Sequence, residues 1–164
     1  MSGADLSDYE LTILANVEEF GCSTTSVFDP DGDDPAFTYS IGLTKTVGQP
    51  EVIVFGLPLE TMQFMVNETM RQCQKGNDLG DFTRLSGLLE GFDIIARTIP
   101  PHRIDREFFN SAMWFHEREY GRDLDRAVQL VWPSSATGLF PWDPDCHESV
   151  IAHQPALYEP RLNS

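Results

Sequence analysis

The spacing of apolar residues switches between a helical and a strand period several times along the chain. Leu6, Tyr9, Ile13, Val17 and Phe20 recur at helical spacing, Ser7-x-x-Glu10 reads as a capping box, and Gly21 is placed as a stop, so the pattern predicts a helix over 7–20. Ser23–Val27 reads as a short strand. In Phe37-Thr38-Tyr39-Ser40-Ile41 the aromatic and branched residues alternate with hydroxyls, the period of a half-buried strand. Val52-Ile53-Val54-Phe55 is apolar at every position, as expected of a strand covered on both faces. Gly42, Gly48 and Pro50 lie between these runs and predict an antiparallel pair joined by a loop longer than a tight turn.

Pro58 then suits a helix start, and Leu59, Met62, Val66, Thr69, Met70 and Cys73 form its buried stripe, with Gly76 beyond. Residues 75–91, rich in Gly and Asp, read as an ordered loop over a pocket. A strand over 92–98 is stopped by Pro100-Pro101, a helix follows over 105–120, and 127–132 is the last strand. The tail from 133 to 164 carries Pro133, Pro141, Pro144, Pro155 and Pro160, which predicts an extended wrap pinned by Phe140 and Trp142, with no further helix. The element order implies one α+β domain spanning 1–164, a mixed or mostly antiparallel sheet of about five strands with three helices packed on it. A small β-barrel with helical additions is the alternative.

Composition narrows the class. The 164 residues are 41% hydrophobic and 11% aromatic, enough to build a core. The 26 acids against 11 bases give a formal charge of −15, which opposes direct nucleic-acid binding and permits a basic partner or divalent cations. No apolar run is long enough to span a bilayer and the acidic start lacks signal-peptide order, so a cytoplasmic location is expected. Cys22, Cys73 and Cys146 are far apart and read as reduced thiols.

Candidate chemistry is sparse. Asp29, Asp31, Asp33 and Asp34 alternate as Ca²⁺ ligands do, but Ser40 stands where a bidentate Glu would close the site, so a solvated turn is expected. Cys146, His147 and His153 are weak metal candidates, their spacing matching no zinc pattern. His116 and Glu117 are adjacent on a helix and cannot face each other. No phosphate-cradling glycine motif, nucleophile elbow or zinc-protease motif occurs, and no cofactor is expected. Tyr39, Ser40, Glu51 and Arg97 could line one end of the sheet as a polar ligand pocket.

One resemblance spans most of the chain. Phe37-x-Tyr39-Ser40-Ile41-Gly42-Leu43, then Pro50-Glu51, then a strand ending in Gly56-Leu57-Pro58, resembles a bacterial family catalogued as a domain of unknown function. The Gly76, Gly80 and Gly87 region and Leu139-Phe140-Pro141-Trp142 are similar too. Members of that family commonly carry Thr where Ser40 stands and His where Gln49 stands, so any role of that His is closed to this chain. The resemblance implies no activity, substrate or cofactor.

The function expected from these readings is a small acidic cytosolic binding or regulatory module in a bacterial stress or defence system, with an unknown small molecule or protein as partner. A small enzyme or ligand-binding domain using Tyr39, Glu51 and Arg97, and a split-barrel flavin protein, are the alternatives. A homo-oligomer is compatible with the sequence.

Overall fold

The alternating run and the apolar run do lie side by side. In the computed structural model, which describes residues 6–159, β2 (Phe37–Ile41) pairs antiparallel with β3 (Glu51–Phe55), with Phe37 opposite Phe55 and Tyr39 opposite Ile53. Around them stand β1 (Ser23–Val27), β4 (Thr83–Leu89), β5 (Phe92–Ile99) and β6 (Ala127–Val131). The six strands form one open mixed sheet in the order β1-β2-β3-β6-β5-β4. Only β3 and β6 run parallel; the other neighbours are antiparallel. The expected α+β class holds, with one strand more than anticipated. Because β1 and β4 are free ends of the order, the barrel alternative is not what the chain builds.

The period of two assigns each strand residue to a face. Val52, Val54, Ile94, Ala96, Val128 and Leu130 point to one side, where α3 (Leu59–Gln74) covers them with Met62, Met65, Val66 and Met70. Each such Val, Leu, Ile or Met side chain, fully buried, contributes about 1.5–3 kcal/mol. Phe37, Tyr39, Ile53, Phe55 and Ile99 point to the other side. There α1 (Asp8–Phe20) supplies Ile13 and Val17, and α4 (Arg106–Tyr120) supplies Phe109, Ala112 and Phe115.

Local chemistry explains the helix ends. Ser7 and Glu10 form the full reciprocal capping box at α1. The Asp105 carboxylate accepts from the Glu107 amide and opens α4. Within α4, Phe109 leaves the helical region (φ −135°, ψ 30°), and the Ser111 amide donates to the Tyr39 hydroxyl at 2.9 Å. A side chain has entered the helix ladder at that point, a recognised cause of a kink.

Two expectations need correction. Residues 75–91 hold β4, hidden from a periodicity reading because Gly87 sits in a register shift between Leu85 and Leu89. The tail is not wholly extended: α5 (Glu148–Ala152) forms between Pro144 and Pro155, after a short α2 (Leu43–Thr46) earlier in the chain that also escaped notice. The tail does wrap and pin as expected. Phe140 and Tyr158 pack with Ile95 and Val131, with Trp142 against them. Gly56, at φ 78°, must be glycine, because a Cβ there would come within 2.3 Å of the His153 carbonyl oxygen.

Candidate functional site

The four residues read as a single pocket fall into three environments. The Tyr39 side chain is buried against α4, and its hydroxyl accepts from Ser111. Burial pushes its phenol up, against the pull of Ser111 and Thr25. Ser40 and Glu51 do meet. The Ser40 hydroxyl donates to Glu51 Oε1 at 2.7 Å and accepts from the Val52 amide at 2.9 Å. Arg97 stands apart. Tyr39, Ile53, Gln129 and Arg97 are partners across four neighbouring strands, so Tyr39 and Arg97 are separated by about 14 Å, three strand spacings.

Glu51 is a closed structural fixture. Gly42, in the left-handed region at φ 106°, turns the chain after β2 so that successive amides face inward. Glu51 then accepts from Gly42 N at 2.9 Å, Leu43 N at 3.1 Å and Thr44 N at 3.4 Å. Burial raises the carboxyl above the ordinary range, and Ser40 with the three amides pulls it back. The carboxylate thus caps α2.

Arg97 is equally buried, at 3% exposure, but is held differently. Its guanidinium carbon lies 4.0 Å from the Phe82 ring centroid, 4.5 Å from Tyr158 and 4.8 Å from Trp142. Nε donates to Asp81 at 3.0 Å and Nη2 to the Glu159 carbonyl at 3.1 Å, while Nη1 has no partner among the described residues. Phe82 reaches this position from a left-handed backbone (φ 65°), unusual for a bulky residue.

The remaining candidates are also tied into the fold. Gln49 bridges two loops, donating to Asp78 at 2.9 Å and accepting from the Leu79 amide at 2.9 Å. Cys146 is buried near the Leu139 carbonyl; His147 Nδ1 sits 2.8 Å from Ser149 Oγ, and His153 Nδ1 sits 2.6 Å from the Ser149 carbonyl. No group of three or more His, Cys, Asp or Glu side chains is placed to hold a metal ion among the described residues. His116 faces the Arg122 carbonyl at 2.9 Å. The cysteines are free, and burial pushes Cys22 up to about 12 and Cys73 to about 11, so neither is a thiolate near neutrality. Asp29 accepts from the amides of Asp31, Asp33 and Asp34, the solvated turn expected.

A different cavity has the makings of a binding site. It measures about 430 Å³ and opens where β1 and β2 meet the start of α4. Phe37, Phe55 and Phe108 form an aromatic cluster with centroids 5.2–5.6 Å apart, and Phe28 stands beside it, 54% exposed. Asp29, Asp34 and Glu107 line the same cavity. The amides of Asp34, Asp31 and Asp33 hold the Asp29 carboxyl below the usual range, so it is charged near neutrality. Sequence reading missed this site because Phe28, Phe55 and Phe108 are far apart in the chain; the one available signal was Phe28 beside an acidic turn.

Comparison with known proteins gives a family and a weak structural likeness. The model of a family described as a domain of unknown function, DUF4262, matches residues 16–147. No curated protein matches. Among solved structures, the chain is similar to a Neisseria gonorrhoeae FA 1090 protein described as a candidate homologue of SUFU (suppressor of fused protein). Identity is 14%, 79% of each chain is covered, and the TM-score is 0.38. No helix among the described residues is long and apolar enough to cross a membrane.

Proposed function

We propose that this chain, which belongs to the DUF4262 family of domains of unknown function, is an acidic binding module whose partner presents a cationic group on an apolar stem. The observation that carries this is the cavity at Phe28, where aromatic rings and three carboxylates line one open space. Aromatic faces attract a cation by about 0.5–2 kcal/mol, and carboxylates beside them select it over a neutral group. A lysine or arginine side chain, or a small alkylamine, has that form. The net charge of −15 adds a long-range attraction that salt would screen.

The role is non-catalytic in this reading. Glu51 and His116, the groups best suited to proton transfer, are spent on the α2 amides and the Arg122 carbonyl. We place the module in the cytoplasm, as a regulatory component of a bacterial stress or defence response acting on a basic protein.

The test is NMR titration of the full chain with N-acetyl-arginine amide and with its neutral counterpart, N-acetyl-citrulline amide. The arginine compound should shift resonances of Phe28 and Phe108, and Glu107→Gln or Phe28→Ala should weaken it about tenfold. Equal binding of the citrulline compound, or no shifts at those rings, would overturn the reading.

A further inference from the structure

The two ends of the sheet are protected very differently. An edge strand presents a row of unpaired N–H and C=O groups, and proteins usually blunt it with bulges, charges, proline or a covering element. The β4 edge has such devices: a register shift at Gly87, the charged Arg84, and Gln72, whose side-chain amide donates to the Ser86 carbonyl at 2.7 Å. Among the described residues the β1 main chain has none of them, although α1 lies over the α4-facing side of the strand, the Tyr9 hydroxyl bonding the Thr25 hydroxyl and Asn16 Nδ2 donating to Ser23 Oγ at 3.2 Å. Ser23-Thr24-Thr25-Ser26-Val27 is uncharged, lacks proline, and pairs with β2 in unbroken register. Among the described residues, no hydrogen bond from a helix or loop reaches the main chain of 24–27.

This bare edge runs straight into the Phe28 cavity. Val27 and Phe28 line that cavity at one end of the strand. At the other end Ser23 and Thr24 line a second cavity of about 420 Å³ with Asn16, Phe20 and Arg71. A five-residue strand spans about 17 Å, so one extended segment could engage the edge and reach both.

We propose that β1 accepts an extended basic peptide as an added strand, with main-chain hydrogen bonds along 24–27 and a Lys or Arg side chain in the Phe28 cavity. The peptide part rests on the cation-binding reading above; the free edge does not. Residues 23, 25 and 27 point to the α4 face, as their partners Ile41, Tyr39 and Phe37 do. The peptide residue opposite Val27 therefore points the same way, toward the Phe37–Phe108 rings, and is the one that must be basic. Main-chain pairing supplies affinity and the cavities supply selectivity. A second copy of this chain is a poor occupant, since each carries −15 and the carboxylates at the strand's end would face each other.

The test selects binders to the full chain from a randomised pool of eight-residue peptides. An enriched peptide is then resynthesised with alternate backbone nitrogens methylated, which leaves the protein untouched. Enriched peptides should carry Lys or Arg, slow amide exchange at 24–27, and lose at least about tenfold in affinity on methylation. Glu107→Gln should weaken them as well. Binding indifferent to methylation overturns strand addition, and if it still depends on Glu107 the cation pocket stands. Neutral peptides that protect β1 and ignore Glu107→Gln support strand addition and remove the pocket reading. Failure to enrich any peptide, or protection of β1 only through concentration-dependent dimers, overturns the proposal.

Discussion

Glu51 and Arg97 are both ionisable, both buried within the sheet, and stabilised by opposite means. Glu51 is surrounded by fixed hydrogen-bond donors: the Ser40 hydroxyl and three consecutive amides at the start of α2. Arg97 is surrounded chiefly by ring faces, with an exposed carboxylate and one carbonyl as polar partners. A shell of donors requires acceptor oxygens at fixed positions. A shell of rings favours a flat cation by only about 0.5–2 kcal/mol and still packs well around an apolar chain of similar length. The difference separates an acceptor that the backbone needs from a cation that the packing merely tolerates.

The same replacement at both positions tests this. Glu51→Met should lower unfolding stability in urea by about 3 kcal/mol or more, since several buried amides lose their acceptor together. Glu51 also gives a pH signature. Its folded pKa is raised by burial, so the folded state binds the proton more tightly than the unfolded state. Stability from this group is therefore present in acid and is lost as pH rises from the ordinary carboxylate range through the raised value. Glu51→Gln should flatten that part of a stability-versus-pH curve; an unchanged slope would assign it to another group. Arg97→Met should cost much less, about 1 kcal/mol, because a long apolar chain still fills the space between Phe82, Trp142 and Tyr158. Equal losses at the two sites would erase the distinction. The smallest effect is expected at Gln49→Ala, a few tenths of a kcal/mol, with faster amide exchange at Leu79.

The fold was largely readable because its central elements announce themselves locally. The strand at 37–41, the apolar run at 52–55 and the capping box at Ser7 each follow from neighbouring residues, although 37–41 is buried on both faces, its Thr38 and Ser40 hydroxyls included, where the alternation implied one. β4 escaped because Gly87 interrupts its alternation while Gly80 and Gly91 flank it, and α5 because the flanking prolines argue for extended chain. The pairing of Ser40 with Glu51 was legible from adjacent strands. The lone acid heading the apolar run at 51–55 could have signalled a capping role, but the amides it meets precede it by seven to nine residues. The rings around Arg97 come from positions 82, 142 and 158, a meeting that no local pattern encodes. The Phe28 cavity is assembled in the same long-range way.

The wrapped tail has one more implication. Gln129, in the middle of the sheet, donates to the Pro155 carbonyl and accepts from the Leu157 amide, while Arg103 Nη1 reaches the carbonyls of residues 156, 157 and 158. A protein trimmed at residue 147, where the family match stops, would lose these four carbonyl acceptors, the Leu157 donor and the Tyr158 ring together. The boundary recognisable by descent is thus shorter than the boundary that physics needs: residues 150–158 complete the interior.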